Sequence, residues 1–399
     1  MVKIAILGFG VVGSGTAEVL TENKKIIEER LGCEYSIKYI LDLRDFPNSP
    51  FANLIVHDFN VILNDPEVAI VAEMMGGSHP AYDFSKACLE AGKSVITSNK
   101  EVVSNFGVEL CSIAAKNGVR YLFEASVGGG IPVIRPIIND LASNKITRIC
   151  GILNGTTNYI LTKMRDKGAS FSDALSEAQK LGYAEANPSA DVDGIDAARK
   201  IVILAALACG KLISPKAIYT EGISKISLLD TKLAESLGCS IKLIAQAHVS
   251  PEGLTAFVSP CMVQKSNPLS RIDDVFNGIL IDANMVGEVM FYGPGAGKLP
   301  TASAVVADII DVIAHRDVEP KTIAWDAAAD TDLASFEKFC SERVFISSEK
   351  LAFSNDIAII SEAAAEGVYA YMTESISEEL ADKIASENKD TVLSVFRKI

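Results

Sequence analysis

Three groups of residues in this sequence have types and spacings that could do chemistry. Gly8-Phe9-Gly10-Val11-Val12-Gly13 stands near the start, Lys100 follows Val95-Ile96-Thr97-Ser98-Asn99, and Asp196 and Lys200 stand four apart where a strongly apolar run begins. A Gly-x-Gly-x-x-Gly turn between a strand and a helix divides its work by position. Gly8 allows the tight turn, Gly10 lets the backbone approach a pyrophosphate, and Gly13 lets helix and strand pack closely. The phosphates then sit against the free N–H groups and positive dipole end of the helix. Out of that setting the same pattern is only a loop.

Lys100 follows an apolar strand, at the edge of an open α/β sheet where ligands bind; a solvated surface charge is the alternative. Asp196 and Lys200 project from one helix face. On the surface such a pair contributes a few tenths of a kcal/mol. Ile201 to Leu207 is so apolar, however, that the helix must be buried nearly all round, and a charged first turn on a buried helix faces a cleft. Reducing an aldehyde requires a hydride from a cofactor and a proton for the developing alkoxide. A lysine whose pKa is lowered by burial and a neighbouring ammonium can supply that proton near neutral pH.

The elements that must position these residues are legible in outline. Up to about residue 130, short apolar runs (Val2–Leu7, Ile37–Leu41, Ile70–Met74, Ser94–Thr97, Tyr121–Glu124) alternate with helical patterns. That alternation predicts an α/β fold opening on a doubly wound parallel sheet of Rossmann type. Residues 131–300 change to longer helices and amphipathic strands, including Ala197–Cys209, and predict a central α+β domain for substrate binding and oligomerisation. Residues 300–325, with the helical run Ala302–Ala314, are expected to pack back on the first domain. Residues 335–399 predict a small β-α-β-α-β appendage, with helices over Ser354–Ala365 and Ser377–Ser386. The second strand ends Leu41-Asp42-Leu43-Arg44-Asp45, which offers an acid for a ribose hydroxyl and an arginine for a 2′-phosphate. Arg44 leans the reading to NADP and leaves NAD open.

Composition narrows the function classes. A net charge of −14 argues against general nucleic-acid binding, which needs a basic face. The N-terminal apolar run is far too short to span a membrane and no cleavage site follows it. Eight cysteines without paired spacing predict buried free thiols, and four histidines without ligand spacing give no support for a transition metal. No internal repeat or low-complexity arm is evident.

Over about residues 1–320 the sequence resembles homoserine dehydrogenase. The blocks that carry the resemblance are Gly8 to Gly15, Thr97-Ser98-Asn99-Lys100, Phe123 to Pro132, Gly151 to Tyr159, Gly182 to Lys200, and Gly295-Ala296-Gly297. The resemblance implies NAD(P)-dependent interconversion of L-homoserine and L-aspartate 4-semialdehyde, in threonine, methionine and isoleucine biosynthesis. It implies that Lys200 is the proton donor, that Lys100 assists, and that Asp196 orients the reacting oxygen. Glu185 and Tyr183 would hold the amino-acid end of the substrate, together with Asn154, Gly155 and Thr156. Gly8, Phe9, Gly10, Val11, Val12, Gly13, Arg44, Gly76, Gly77, Lys100 and Gly297 would contact the cofactor. Glu124, Val127, Gly129 and Ile131 match a Na+ or K+ site, whose oxygen donors suit such an ion and not zinc; a structural turn is the alternative there.

Two departures stand out. Asn187 occupies a position where the signature usually has aspartate, and the second basic residue that often follows Arg44 in NADP-using members is missing. By the same resemblance, residues 335–399 would be an ACT-like regulatory or docking module. The expected protein is a cytoplasmic homodimer or homotetramer acting on a small molecule, without nucleic acid or membrane. No kinase-like region precedes Met1, so fusion to an aspartate kinase is not expected. The competing readings are a dehydrogenase for another semialdehyde or amino acid, and a nucleotide-sensing regulator on the same fold.

Overall fold

In the computed structural model, which describes residues 1–321 and 323–399, the first sheet has six strands: Val2–Leu7 (β1), Tyr35–Leu41 (β2), Ile55–Val56 (β3), Val68–Glu73 (β4), Ser94–Thr97 (β5) and Tyr121–Leu122 (β6). They run in the order β3-β2-β1-β4-β5-β6, every neighbouring pair parallel. Ile4, Ala5, Ile6 and Leu7 of β1 are fully buried, the signature of a parallel strand covered on both faces. The strand order reverses between β1 and β4, so the loops leaving their C-terminal ends flank the crevice where such sheets bind ligands.

This sheet belongs to a unit made of Met1–Ser143, Val202–Ser214 and Gly293–Ala327. The Lys298–Ala314 helix lies against the Val11–Glu22 helix, where a Cβ on Gly15 would come within 2.8 Å of the Lys298 carbonyl. Its Val305, Ile309 and Ile313 join Ile4 and Ile6 in one core. Residue 322, inside the stretch expected to pack here, lies outside the described residues.

The second unit comprises Asn144–Ile201, Pro215–Tyr292 and Ala328–Ile399. Its main sheet runs Gly287–Pro294, Phe276–Ala283, Ile146–Ile152, Cys239–Ser250, Gly253–Gln264, Val392–Lys398, Cys340–Ser347, Val368–Ser377, Ile359–Ala365. The long hairpin Cys239–Ser250 with Gly253–Gln264 is its centre. This division differs from the sequence expectation: residues 131–143, 202–214 and 293–299 group with the first unit, and residues 335–399 contribute strands to the sheet of the second.

The C-terminal segment also corrects a secondary-structure expectation. Within Ser354–Ala365, expected to be helical, Ile359–Ala365 is a strand paired antiparallel with Val368–Ser377. The alanine run favours helix by propensity, but Glu366 (φ 55°) and Gly367 (φ 81°) make a two-residue turn with both φ positive, the geometry that matches strand twist in a hairpin. The second expected helix is present as Glu378–Glu387. The cysteine expectation needs adjustment as well. All eight thiols are free, but Cys340 is exposed and Cys33 and Cys209 are only partly buried. Among the described residues no helix is long and apolar enough to cross a membrane.

Three buried charges tie this segment into the sheet. Glu378 Oε1 and Oε2 accept Arg397 Nε and Nη2 at 2.8 and 2.7 Å, and Oε1 also accepts Arg343 Nη2. Arg397 further lies over the rings of Tyr219, Phe257 and Phe336. One carboxylate therefore serves two guanidiniums away from water. Glu378→Ala would strand both and should destabilise the second unit by about 3–5 kcal/mol. Urea unfolding followed by intrinsic fluorescence measures this, and a loss below about 1 kcal/mol would show that the two arginines do not depend on Glu378.

Candidate active site

The glycine turn after β1 has the three-part geometry that a dinucleotide demands. Gly8 has φ +89°, and a Cβ on Gly13 would sit 1.9 Å from the Gly8 carbonyl oxygen, so neither position accepts a side chain without rebuilding the turn. Gly10 is exposed, and a Cβ there would meet nothing within 4 Å, leaving an open approach to the backbone. The helix that follows, Val11–Glu22, starts with no side-chain cap, so its first N–H groups face that opening without a protein side-chain acceptor.

Asp42, at the end of β2, closes one side of the turn. Its Oδ2 accepts the Phe9 N–H at 2.8 Å, and its two oxygens take Arg44 Nε and Nη2 at 3.0 and 3.1 Å. The Arg44 guanidinium, helped by the backbone N–H groups of Arg44 and Phe9, holds the Asp42 carboxyl down at about 2. Asp42 is thus ionised at the edge of the turn, while the Arg44 side chain is 65% exposed and stands over the Phe46 ring.

The turns leaving β4 and β5 are stitched together. Asn99 Oδ1 accepts the Glu101 and Val102 N–H groups and so caps the Lys100–Lys116 helix, while its Nδ2 donates to the Gly77 carbonyl at 2.8 Å. Ser78 Oγ donates to Glu101 at 2.6 Å. Lys100 is the first residue of that helix and half-buried. Gly76 is open to addition of a Cβ, and Gly77 has φ +73°. Beneath these turns lies Glu73, fully buried, its Oε1 accepting the Met75 N–H and its Oε2 the Thr97 hydroxyl, both at 2.6 Å. Glu73, Thr97 and Asn99 were not among the sequence candidates. A glutamate ending an otherwise apolar strand, Val68-Ala69-Ile70-Val71-Ala72-Glu73, was the available signal.

In the second unit, Asp196 and Lys200 lie on the first turns of the Ile195–Cys209 helix and are 4% and 7% exposed, which removes the solvated surface pair as a reading. Lys200 Nζ donates to Asp196 Oδ2 and to the Leu153 carbonyl, each at 2.7 Å. Leu153 directly follows the Ile146–Ile152 strand, and Asn154 begins the next helix. Asn154 Oδ1 accepts the Thr157 N–H, and Nδ2 donates to Asp191 Oδ1 at 2.7 Å and Asp196 Oδ2 at 2.9 Å. Asp191 therefore joins this cluster, a partner that the sequence reading did not single out. Thr156 Oγ1 donates to the Tyr183 carbonyl at 2.7 Å. The Tyr183 ring packs on Tyr159 with centroids 5.1 Å apart and stays 44% exposed. Gly155 leaves room for the Val275 carbonyl, which a Cβ would approach to 2.6 Å. Glu185 and Asn187 are both exposed; the Glu185 backbone carbonyl accepts Gln179 Nε2, and Asn187 Oδ1 accepts the Ser189 N–H.

The turn proposed from resemblance to hold a cation lies in the first unit. Glu124 is 3% exposed, and its carboxylate accepts the N–H groups of Val133, Ile134 and Arg135 at 2.7, 2.9 and 2.8 Å. Its own N–H donates to Asp308, which also pairs with Arg135 Nη2 at 2.6 Å. Burial pushes the Asp308 carboxyl up to about 7 against the pull of Arg135. Glu124 is first a cap for the Ile134–Ile138 helix. A carboxylate has roughly four lone-pair directions, so three such bonds leave it one acceptor position. Gly129 packs closely on the Gly295–Ala296 backbone, where a Cβ would come within 2.4 Å of the Gly295 carbonyl oxygen, and Gly297 carries φ +129° at the start of the Lys298–Ala314 helix.

Comparison with known proteins is consistent along the chain. The family profile for homoserine dehydrogenase matches residues 132–310, and that for the homoserine dehydrogenase NAD-binding domain matches residues 8–124. Homoserine dehydrogenase of Neisseria gonorrhoeae is 44% identical over 314 residues, covering 78% of this chain and 72% of its own. That of Helicobacter pylori is 40% identical over 365 residues, covering 90% and 85%. Among solved structures, a homoserine dehydrogenase from Thiobacillus denitrificans superposes with a TM-score of 0.91 at 34% identity, covering 100% of this chain and 98% of that one. A hyperthermophilic archaeal homoserine dehydrogenase mutant in complex with NADPH superposes with a TM-score of 0.66 at 31% identity, covering 78% and 97%. With a dinucleotide turn after β1, a buried lysine–aspartate pair in the second unit and these matches along both, the chain belongs to the homoserine dehydrogenase family.

Proposed function

We propose that this protein interconverts L-homoserine and L-aspartate 4-semialdehyde with a nicotinamide dinucleotide, Lys200 moving the proton at the substrate oxygen. The buried Lys200–Asp196–Asn154 network carries the reading. When bound, the nicotinamide supplies or accepts the hydride. In the reducing direction Lys200 gives a proton to the oxygen that becomes the alcohol, and in the oxidising direction it takes that proton back. Asp196 keeps the ammonium in place and balances its charge, and Asn154 holds Asp196. Lys100 is assigned an assisting role in the reaction, while Glu185 and Tyr183 bind the amino-acid end of the substrate, with Asn154, Gly155 and Thr156 beside them.

The cofactor contacts are assigned to Gly8, Phe9, Gly10, Val11, Val12 and Gly13 at the pyrophosphate, Gly76, Gly77 and Lys100 towards the nicotinamide, and Gly297 from the Lys298–Ala314 helix. Arg44 is the residue that reads the 2′ position. A 2′-phosphate draws the guanidinium from Asp42, whereas a 2′-hydroxyl bonds the Asp42 carboxylate directly, so NADP is the preferred cofactor and NAD an accepted one.

A Na+ or K+ ion is assigned to Glu124, Val127, Gly129 and Ile131. Because Glu124 already takes three N–H groups, the peptide carbonyls would be its main ligands. By function, residues 1–130 with 300–325 bind dinucleotide, 131–300 bind substrate and form a homodimer or homotetramer, and 335–399 regulate or dock. The setting is cytoplasmic amino-acid biosynthesis.

Purified protein should reduce NADP with L-homoserine at 340 nm; oxidation of a different alcohol with none of homoserine would overturn the substrate assignment. Lys200→Ala should lower kcat by roughly 100-fold or more with cofactor affinity retained, and near-normal turnover would return Lys200 to a structural role. Arg44→Ala should raise KM for NADP at least about tenfold more than KM for NAD, and an equal loss for both would remove Arg44 from 2′ recognition. Exchange into tetramethylammonium buffer should lower activity, and Na+ or K+ should restore it. Activity indifferent to both ions would leave the Glu124 turn a purely structural one.

A further inference from the structure

The mechanism above makes no use of Glu73, yet it is the carboxyl group most completely enclosed on the ligand-binding edge of the first sheet. It ends β4, has no exposed surface, and holds two different turns at once. Its Oε1 accepts the N–H of Met75, in the turn that carries Gly76 and Gly77, and its Oε2 accepts the hydroxyl of Thr97, at the end of β5. Thr97 Oγ1 in turn accepts the Asn99 N–H at 2.9 Å, and Asn99 Nδ2 returns to the Met75 and Gly77 carbonyls at 3.3 and 2.8 Å. The bonds form a closed ring joining Glu73, Met75, Gly77, Asn99 and Thr97. Through the Asn99 cap the ring also fixes the first turn of the Lys100 helix. The glycine turn rests on the same structure, since a Cβ on Gly8 would lie 3.0 Å from the Met74 carbonyl oxygen.

An ionised carboxylate out of water is a costly component, and an apolar residue at this strand end would be cheaper for folding. What a carboxylate supplies that an apolar side chain cannot is two acceptors facing two separate turns. We propose that Glu73 is a positioning residue for the dinucleotide, locking the Met75–Gly77 turn to the Thr97–Lys100 turn so that both present a fixed surface to the nicotinamide end, and that its protonation loosens that lock. This rests on the assignment of Gly76, Gly77 and Lys100 to the cofactor made above.

The chemistry of the ring sets the direction of the pH effect. Burial pushes the Glu73 carboxyl up to about 7, held from rising further by the bonds from Thr97, Met75 and Asn99. The titratable groups facing it from neighbouring elements include the Tyr121 hydroxyl on β6 and, next to that, the Cys111 thiol of the Lys100–Lys116 helix. Both are raised by burial and stay neutral through this range. Its neighbour on β1, Leu7, is apolar. Above about pH 7 the carboxylate accepts from both turns. Below it, the oxygen facing Thr97 carries a proton, so the Thr97 hydroxyl hydrogen loses its ionised acceptor and the bond survives only with the carboxyl as donor.

The test measures NADPH and NADH dissociation constants by fluorescence from pH 6 to 9, without substrate, for the wild type, Glu73→Gln, Glu73→Ala and Thr97→Val. The wild type should bind both dinucleotides several-fold more tightly at pH 8 than at pH 6. Glu73→Gln, which keeps one acceptor and one donor, should bind within a few-fold of the wild type but with that pH response flattened. Glu73→Ala and Thr97→Val should each weaken binding about tenfold, and the double variant by less than the product of the two, because they break one ring. Gly10→Val serves as the reference for loss of the dinucleotide turn itself. If Gly10→Val abolishes binding while all Glu73 and Thr97 variants stay within twofold of the wild type at every pH, Glu73 has no positioning role and the proposal falls alone. If the wild type binds neither dinucleotide, the cofactor reading fails and takes this proposal with it.

Discussion

Removing the Lys200 ammonium from water constrains much of the second unit. An effective desolvation cost of several kcal/mol per buried ion has to be met by close, well-directed partners. Asp196 supplies the counter-charge from one helical turn earlier, and the Leu153 carbonyl supplies a second acceptor. That carbonyl is placed to accept from a side chain because it lies just past the Ile146–Ile152 strand, beyond the last ladder pair. The strand has to stop there, the next helix has to begin at once, and the Ile195–Cys209 helix has to bring its first turns to that junction. Gly155 fits this requirement as well, since a side chain there would run into the Val275 backbone.

The same logic separates what could be read in the sequence from what could not. The parallel sheet was legible because buried parallel strands are written as uninterrupted apolar runs such as Ile4-Ala5-Ile6-Leu7, and the glycine turn because each of its residues answers a local steric demand. Asp196 and Lys200 were legible because both lie on one element at helical spacing. The Glu73 ring was not, since its members come from two strand ends more than twenty residues apart in sequence and only the parallel pairing Glu73↔Thr97 brings them together. Asp191 was missed for a related reason. It precedes the Ile195–Cys209 helix in a turn-rich stretch where acids are ordinarily solvated, and only the reach of Asn154 marks it out. In the C-terminal segment the error ran the other way. Local alanine content spoke for helix, while a two-residue turn and the pairing of Ile359–Ala365 with Val368–Ser377 decided for strand. Sequence separation, more than chemical character, governed which residues escaped.

The two units solve a similar problem with the same side chain. Asn99 and Asn154 each stand between the end of a strand and the start of a helix. Each turns Oδ1 inward to cap the new helix and Nδ2 outward to a neighbouring segment of its own unit. Serine, threonine or aspartate would cap comparably well, so capping alone does not account for asparagine. The second bond does. At Asn99 the outward partner is the Gly77 carbonyl, and at Asn154 it is the carboxylates of Asp191 and Asp196, acceptors in both cases. An aspartate in either place could not donate, and at position 154 it would add a further negative charge beside Asp191 and Asp196. The carboxamide serves both junctions because its acceptor and its donor are separate atoms that point apart, where a hydroxyl would have to make both bonds through one oxygen and an aspartate has no donor, so that the group which begins the helix also fixes the groups that the chemistry uses.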